Sequence, residues 1–135
     1  MRTIMFFVGF LLAGPLPALA NPELQTETLL RSTTAWDGTP YTAYPPGQPE
    51  LTVLKIVVPS HTTLAWHRHP SPNAGYILSG KLIVEKKKGG VQRVLTQGQV
   101  LPELVGALHR GRTGSSPAEL IVFYAGAEGV PLTQP

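Results

Sequence analysis

Two of the four histidines in this 135-residue chain stand as His67-Arg68-His69. Side chains two positions apart in an extended segment leave the same face. His67 and His69 therefore project together on the side of Ala65, with Leu64, Trp66 and Arg68 on the other. Two converging imidazoles can chelate zinc, iron, copper or nickel. The spacing alone is weak, because such pairs are more often surface or core features than metal sites. His109, in "GALHRGR", is the only histidine of the second half of the chain. A closed sheet would bring its strand opposite the pair. Asn73, four residues after His69, offers a neutral carbonyl oxygen as a further ligand. Glu103 lies six residues before His109, and an unbroken strand would put both on one face, with Glu103 as general base or supporting partner. Gly106 makes an unbroken strand doubtful, and the alternative is a solvent-exposed carboxylate at a strand end. His61, in "PSHTT", is read as a turn residue, where positive φ is tolerated.

Positioning these groups falls to a series of short strands. "LTVLKIVV" (51–58) is β-branched and closes at Pro59-Ser60. "TTLAWHRH", "GYIL", "KLIVE", "VQRVLT", "QVLPE", "ALHRGR" and "AELIVFYA" follow, punctuated by "PSPN", "SG", "KKKGG", "QG" and "TGSSP". Regular short strands between Gly/Pro turns indicate an all-β sandwich or barrel in one domain. Ser79-Gly80 and Gln97-Gly98 read as two-residue hairpin turns, and "KKKGG" as a solvated hairpin tip. "LIVFY" (120–124) is near-continuously apolar, as in a strand buried on both faces. Tyr76, Ile121, Phe123 and Tyr124 are candidate pocket walls, with core packing the simpler role for most of them. Trp66 and Tyr76 fall outside the histidine face and suggest a seam between two copies; Arg68, Arg110 and Arg112 share that outer parity.

Residues 1–20 read as a secretory signal: Arg2, then the apolar "IMFFVGFLLAG", then Ala18-Leu19-Ala20 before a cleavage point. A membrane anchor is the alternative, but the apolar run is short for a span and Pro15 and Pro17 lie near its end. The expectation is a periplasmic or secreted protein with no stable membrane association after cleavage after Ala20. Residues 21–50, rich in Pro, Thr, Gly and Tyr, form an irregular arm, 51–127 the domain, and 128–135 a tail. Without Arg2 the chain keeps ten basic and eight acidic side chains, a net +2 that gives no basis for a nucleic-acid partner. The chain has no cysteine, so it has no disulfides and any metal is held by nitrogen and oxygen.

The segment around His67 and His69 resembles the first motif of the cupin superfamily, G-x5-H-x-H-x3,4-E-x6-G. Gly80 takes the final glycine, Asn73 the acidic position and His61 the opening glycine. The second motif, G-x5-P-x-G-x2-H-x3-N, aligns with Gly98, Leu104, Gly106, His109 and Thr113. The motifs are separated by 17 residues, 81 to 97, and the likeness covers roughly residues 50 to 125. "HRHP" (67–70) and "FYAG" (123–126) also resemble a group of small single-domain bacterial cupins, often with a signal peptide. The resemblance implies a cupin β-barrel, that is, a double-stranded β-helix or jelly roll. It also implies a divalent ion (Fe, Zn, Ni or Mn) on His67, His69 and His109.

Asn73 in place of glutamate brings no charge and binds a hard cation less strongly. A three-histidine centre leaves positions open for water, dioxygen or substrate. It is similar to cupin dioxygenases, and equally to lyase or isomerase sites where an ion polarises a carbonyl or hydroxyl. A net +2 site favours anionic or enolisable small-molecule substrates. The alternatives are a non-catalytic cupin that captures a small ligand or the metal itself, and a structural domain with vestigial histidines. A homodimer is a further expectation, since cupins often pair through outer sheets.

Overall fold

The computed structural model describes residues 23–135. The expected signal segment and its cleavage point lie outside the described residues. Among the described residues all regular structure is β: β1 (Pro49–Val58), β2 (Asn73–Ser79), β3 (Lys81–Lys86), β4 (Gln92–Thr96), β5 (Val100–Pro102), β6 (His109–Arg112) and β7 (Ala118–Ala127). They form two antiparallel sheets, one in the order β1-β7-β2-β5 and the other β4-β3-β6.

Alternation explains why these segments are strands. In β2 the buried positions are Asn73, Gly75 and Ile77, and in β3 Leu82 and Val84. Each strand turns one apolar row inward. Val58, Ile77, Leu101, Leu120 and Val122 from one sheet meet Leu82, Val84 and Leu95 from the other in a shared core. Burying each such side chain contributes about 1.5–3 kcal/mol. β1 pairs with β7 along its whole length, Pro49 opposite Ala127 and Val58 opposite Ala118.

Three sequence expectations are corrected. Ser79-Gly80 is not a hairpin turn, because β2 and β3 lie in different sheets. It is a corner that passes the chain from one sheet to the other, and Gln97-Gly98 does the same between β4 and β5. Gly80 has φ 77°, and a Cβ there would sit 2.0 Å from the Pro117 carbonyl oxygen, so the corner closes only around glycine. "KKKGG", by contrast, does join two paired strands, β3 and β4.

The segment "TTLAWHRH" is not a regular strand. It is held by isolated bridges, Thr63 to Arg112 and His67 to His109 among them. Strict alternation therefore lapses: Leu64 turns inward with His67, while Ala65 is exposed. His61 occupies its turn with φ 52°.

Finally, β7 is buried on one face only. Its outer row includes Phe123, 41% exposed, beside Leu51 and Val53 of β1, 70% and 60% exposed.

Both flanking segments pack on the barrel. Between Thr33 and Tyr41 the chain folds back on itself, with the Tyr41 amide donating to Thr33. The Trp36 amide donates to the Pro102 carbonyl (2.8 Å), and Asp37 forms an ion pair with Lys86. At the other end, Arg68 and Gln134 exchange backbone hydrogen bonds of 2.8 and 2.9 Å.

Candidate metal centre

His67 and His109 face each other across a bridge in which each amide donates to the other's carbonyl, at 2.9 and 2.8 Å. His69 follows two residues on, its carbonyl accepting from the Gly106 amide at 2.9 Å. The three rings converge, with centroids 4.6 to 5.1 Å apart. One nitrogen from each lies within 4.8 Å of the others. His69 and His109 are buried, whereas His67 is only half-buried and forms the open side.

The orientation of each ring is set by a carbonyl. Nδ1 of His67 lies 2.9 Å from the Ala65 oxygen and Nδ1 of His109 lies 2.8 Å from the Ala107 oxygen. Nδ1 of His69 instead reaches across the fold to the Leu132 carbonyl, 2.9 Å away and 63 residues on. A carbonyl only accepts, so each Nδ1 carries the proton and each Nε2 keeps a free lone pair. Burial pushes the His69 and His109 pKa values down to about 4, partly opposed by these carbonyls, so both rings are neutral at pH 7. This is the form in which imidazole ligates.

Glu103 sits just beyond β5, and its carboxyl turns inward. Its backbone is fixed on both sides, the amide donating to the Asn73 carbonyl and the carbonyl accepting from the Tyr41 hydroxyl at 2.7 Å. Its Oε2 is 3.4 Å from His109 Nε2. That distance would suit an ion pair, yet burial pushes the Glu103 pKa up to about 8 and His109 down. Both are therefore neutral at pH 7, because burial disfavours either charge, and neither atom has a hydrogen-bond partner. Two buried, unpartnered polar atoms side by side are costly unless something binds both.

The space they border is about 60 Å³, lined by Ile56, Val58, Leu64, Leu82, Val84, Leu120, Val122 and Tyr124 as well as His67, Glu103 and His109. Tyr124 also packs edge-on against His69, its ring centroid 5.6 Å away, and burial pushes its hydroxyl pKa up to about 12.

The structure thus brings His67, His69 and His109 together and sets Glu103 beside them. Asn73 is buried at the start of β2, its amide nitrogen donating to the Ser71 carbonyl at 3.1 Å and its oxygen without a partner. It does not line this space. Of the four proposed walls, Tyr124 lines it, while Tyr76, Ile121 and Phe123 lie on the alternate face of their strands. Sequence reasoning missed the Leu132 carbonyl, for which no side-chain signal exists. It also missed Leu82 and Val84, which the alternation of "KLIVE" could have given.

No family profile and no curated protein matches the chain. Solved structures do. The DMSP lyase DddQ from Ruegeria pomeroyi superposes with a TM-score of 0.55 at 22% identity, over 70% of this chain and 45% of that one. A cupin-like protein from Thermotoga maritima gives 0.53 at 17% identity, over 62% of each chain. A Cupin 2 conserved barrel domain protein from Salinispora arenicola gives 0.52 at 15% identity, over 64% of this chain and 71% of that one. The fold is a cupin barrel. This cupin barrel spans less than half the length of the lyase it matches. Within it, the histidine trio is a group able to hold a metal ion.

Proposed function

We propose that His67, His69 and His109 hold a divalent ion through Nε2, and that the chain is a small metal-dependent cupin enzyme of the dioxygenase or lyase/isomerase type. The observation that carries this reading is the set of three Nδ1–H···O=C bonds. They aim three lone pairs at one point beside the unpartnered Glu103 carboxyl. Such an ion, when bound, supplies Lewis acidity, and iron, manganese or nickel would add redox capacity to what zinc offers. Glu103 supplies the proton chemistry. Its carboxyl holds a proton in the metal-free chain and, once ionised beside a cation, can take one from a substrate. Tyr124 and the aliphatic walls keep water from the inner side.

The first test is elemental analysis of protein purified without an affinity tag, with His67→Ala beside it. Near-stoichiometric metal in the native chain and little in the variant is the expected result. Iron would direct assays to oxygen uptake, and zinc, nickel or manganese to elimination and isomerisation. No metal even after anaerobic reconstitution would sink this reading and leave a ligand-capturing barrel.

The Leu132 acceptor makes a second prediction. A chain ending at Pro131 loses the partner of His69 Nδ1 and the bonds from Arg68 to Pro135. Its metal affinity should fall about 10- to 100-fold, the usual cost of losing an outer partner of a ligand. Chelator competition measures it, and an unchanged affinity would remove the segment from the site.

Export is proposed on residues 1–20 alone. For pairing of two copies, Trp66 offers less than expected, being covered by Arg110 at 4.1 Å and by Lys87. The outer face of Leu51, Val53 and Phe123 is the better candidate, which light scattering decides.

A further inference from the structure

We infer that the ligand of this cavity is a small molecule with its donor atom at one end and uncharged hydrocarbon at the other. Molecules with a second charged group, such as dicarboxylates and zwitterions, are excluded. The inference rests on the metal reading and narrows it.

The ligand's donor end would meet the histidines and Glu103. Apart from Gly111 and Tyr124, the rest of the lining is hydrocarbon, with Ile56, Val58, Leu82, Val84, Leu120 and Val122 among it. Among the described residues, no lysine or arginine lines the space. The nearby cations are committed elsewhere. Arg68 donates to the Pro135 carbonyl, Lys86 pairs with Asp37, and Arg110 pairs with Glu85 while stacking on Trp66. Away from the histidines and Glu103, a second charge carried into this space would find no counter-ion and only the Tyr124 hydroxyl as a polar partner, which is strongly unfavourable in a low-dielectric interior.

A trimethylammonium or sulfonium group fares no better, for among the described residues Tyr124 is the one Phe, Tyr or Trp ring lining the space, and it is packed against His69. The space is also small, about 60 Å³, less than half of the ~150 Å³ that accommodates the six carbons of benzene, so it takes only a tail of about three carbons, with the donor head left at the histidines.

The test holds the anchor constant and varies the tail. Zinc-loaded protein is titrated calorimetrically with butyrohydroxamate and with succinate monohydroxamate, which share the chelating head and differ in one terminal charge. The uncharged tail should bind at least 30-fold more tightly. In Ile56→Lys, which puts a cation in the wall, the ratio should shrink or invert; circular dichroism checks that this variant is folded. Equal affinities in the native protein, tighter binding of the charged tail, or no binding of either would overturn the inference. A failure of the metal reading is told apart in the metal-free chain. There butyramide should shift the methyl resonances of Val84 and Leu120 at concentrations where succinamate does not, and equal shifts from both overturn the inference without reference to any metal.

Discussion

Replacing His109 with alanine lowers affinity for a divalent ion by more than about 100-fold, beyond the range for loss of an outer partner, while the barrel stays folded. The two halves of this expectation have separate causes. His109 is 2% exposed, and its Nε2 is buried without a partner, so the side chain does nothing for the metal-free fold through that atom. Its backbone does a great deal, exchanging both hydrogen bonds with His67, and alanine keeps them. Truncation leaves a cavity, at a cost of roughly 2–5 kcal/mol, and removes an unsatisfied polar atom, which offsets part of that. Metal binding has no such compensation, because two nitrogens from one segment then lack the third from the opposite strand. Isothermal titration with zinc and a urea melt of the metal-free variant check the two halves. Retained affinity would remove His109 from the site, and collapse of the barrel would show a structural role instead.

Glu103→Gln should act in opposite directions with and without metal. In the metal-free chain, burial raises the Glu103 pKa from 4.5 to about 8. A group whose pKa is raised on folding lends its stability fully below the unfolded value. That stability declines as pH climbs from about 4.5 to 8, where the folded carboxyl also ionises. Glutamine does not titrate, so the metal-free variant should outlast the native chain in urea at pH 8 by several kcal/mol, with the difference fading towards pH 4.5. His69 and His109 work on the other limb. Their pKa values fall from 6.5 to about 4, so stability is full above 6.5 and lost towards 4, equally in both proteins. The native metal-free chain is therefore most stable in mildly acidic solution. With metal present the order reverses, since an ionised Glu103 beside a cation aids binding and glutamine does not. Melts from pH 4 to 9, with zinc and with chelator, read both effects. Parallel native and variant curves at pH 8 without metal would mean that the carboxyl is hydrated and not in the cavity.

The histidine trio was legible because its members are rare in this chain and two share a period of two, the simplest signal a strand carries. The strands were legible for the same reason. What escaped was partnership. Ser79-Gly80 has the chemistry of a tight turn whether the next strand lies beside the last or in the facing sheet, and only pairing distinguishes them. Leu64 defeated the alternation because its segment is tied by single bridges and turns between Ala65 and His67. The inward aim of Glu103 depends on Tyr41 and Asn73 gripping its backbone from distant segments, a relation that no local pattern encodes.

The partner of His69 bears on when the site comes into being. Its proton is held by a carbonyl 63 residues further along, while those of His67 and His109 are held by neighbours two residues away. Two rings can be oriented as soon as their own segments fold, but the third has no fixed tautomer until Leu132 has docked. A chain emerging from its amino end therefore carries all three rings well before the third is oriented, and the trio is set only once residue 132 has been made and has docked. Were an ion offered to the shorter chain, it would meet two oriented nitrogens and a third still free to turn, so firm binding would wait on that late contact.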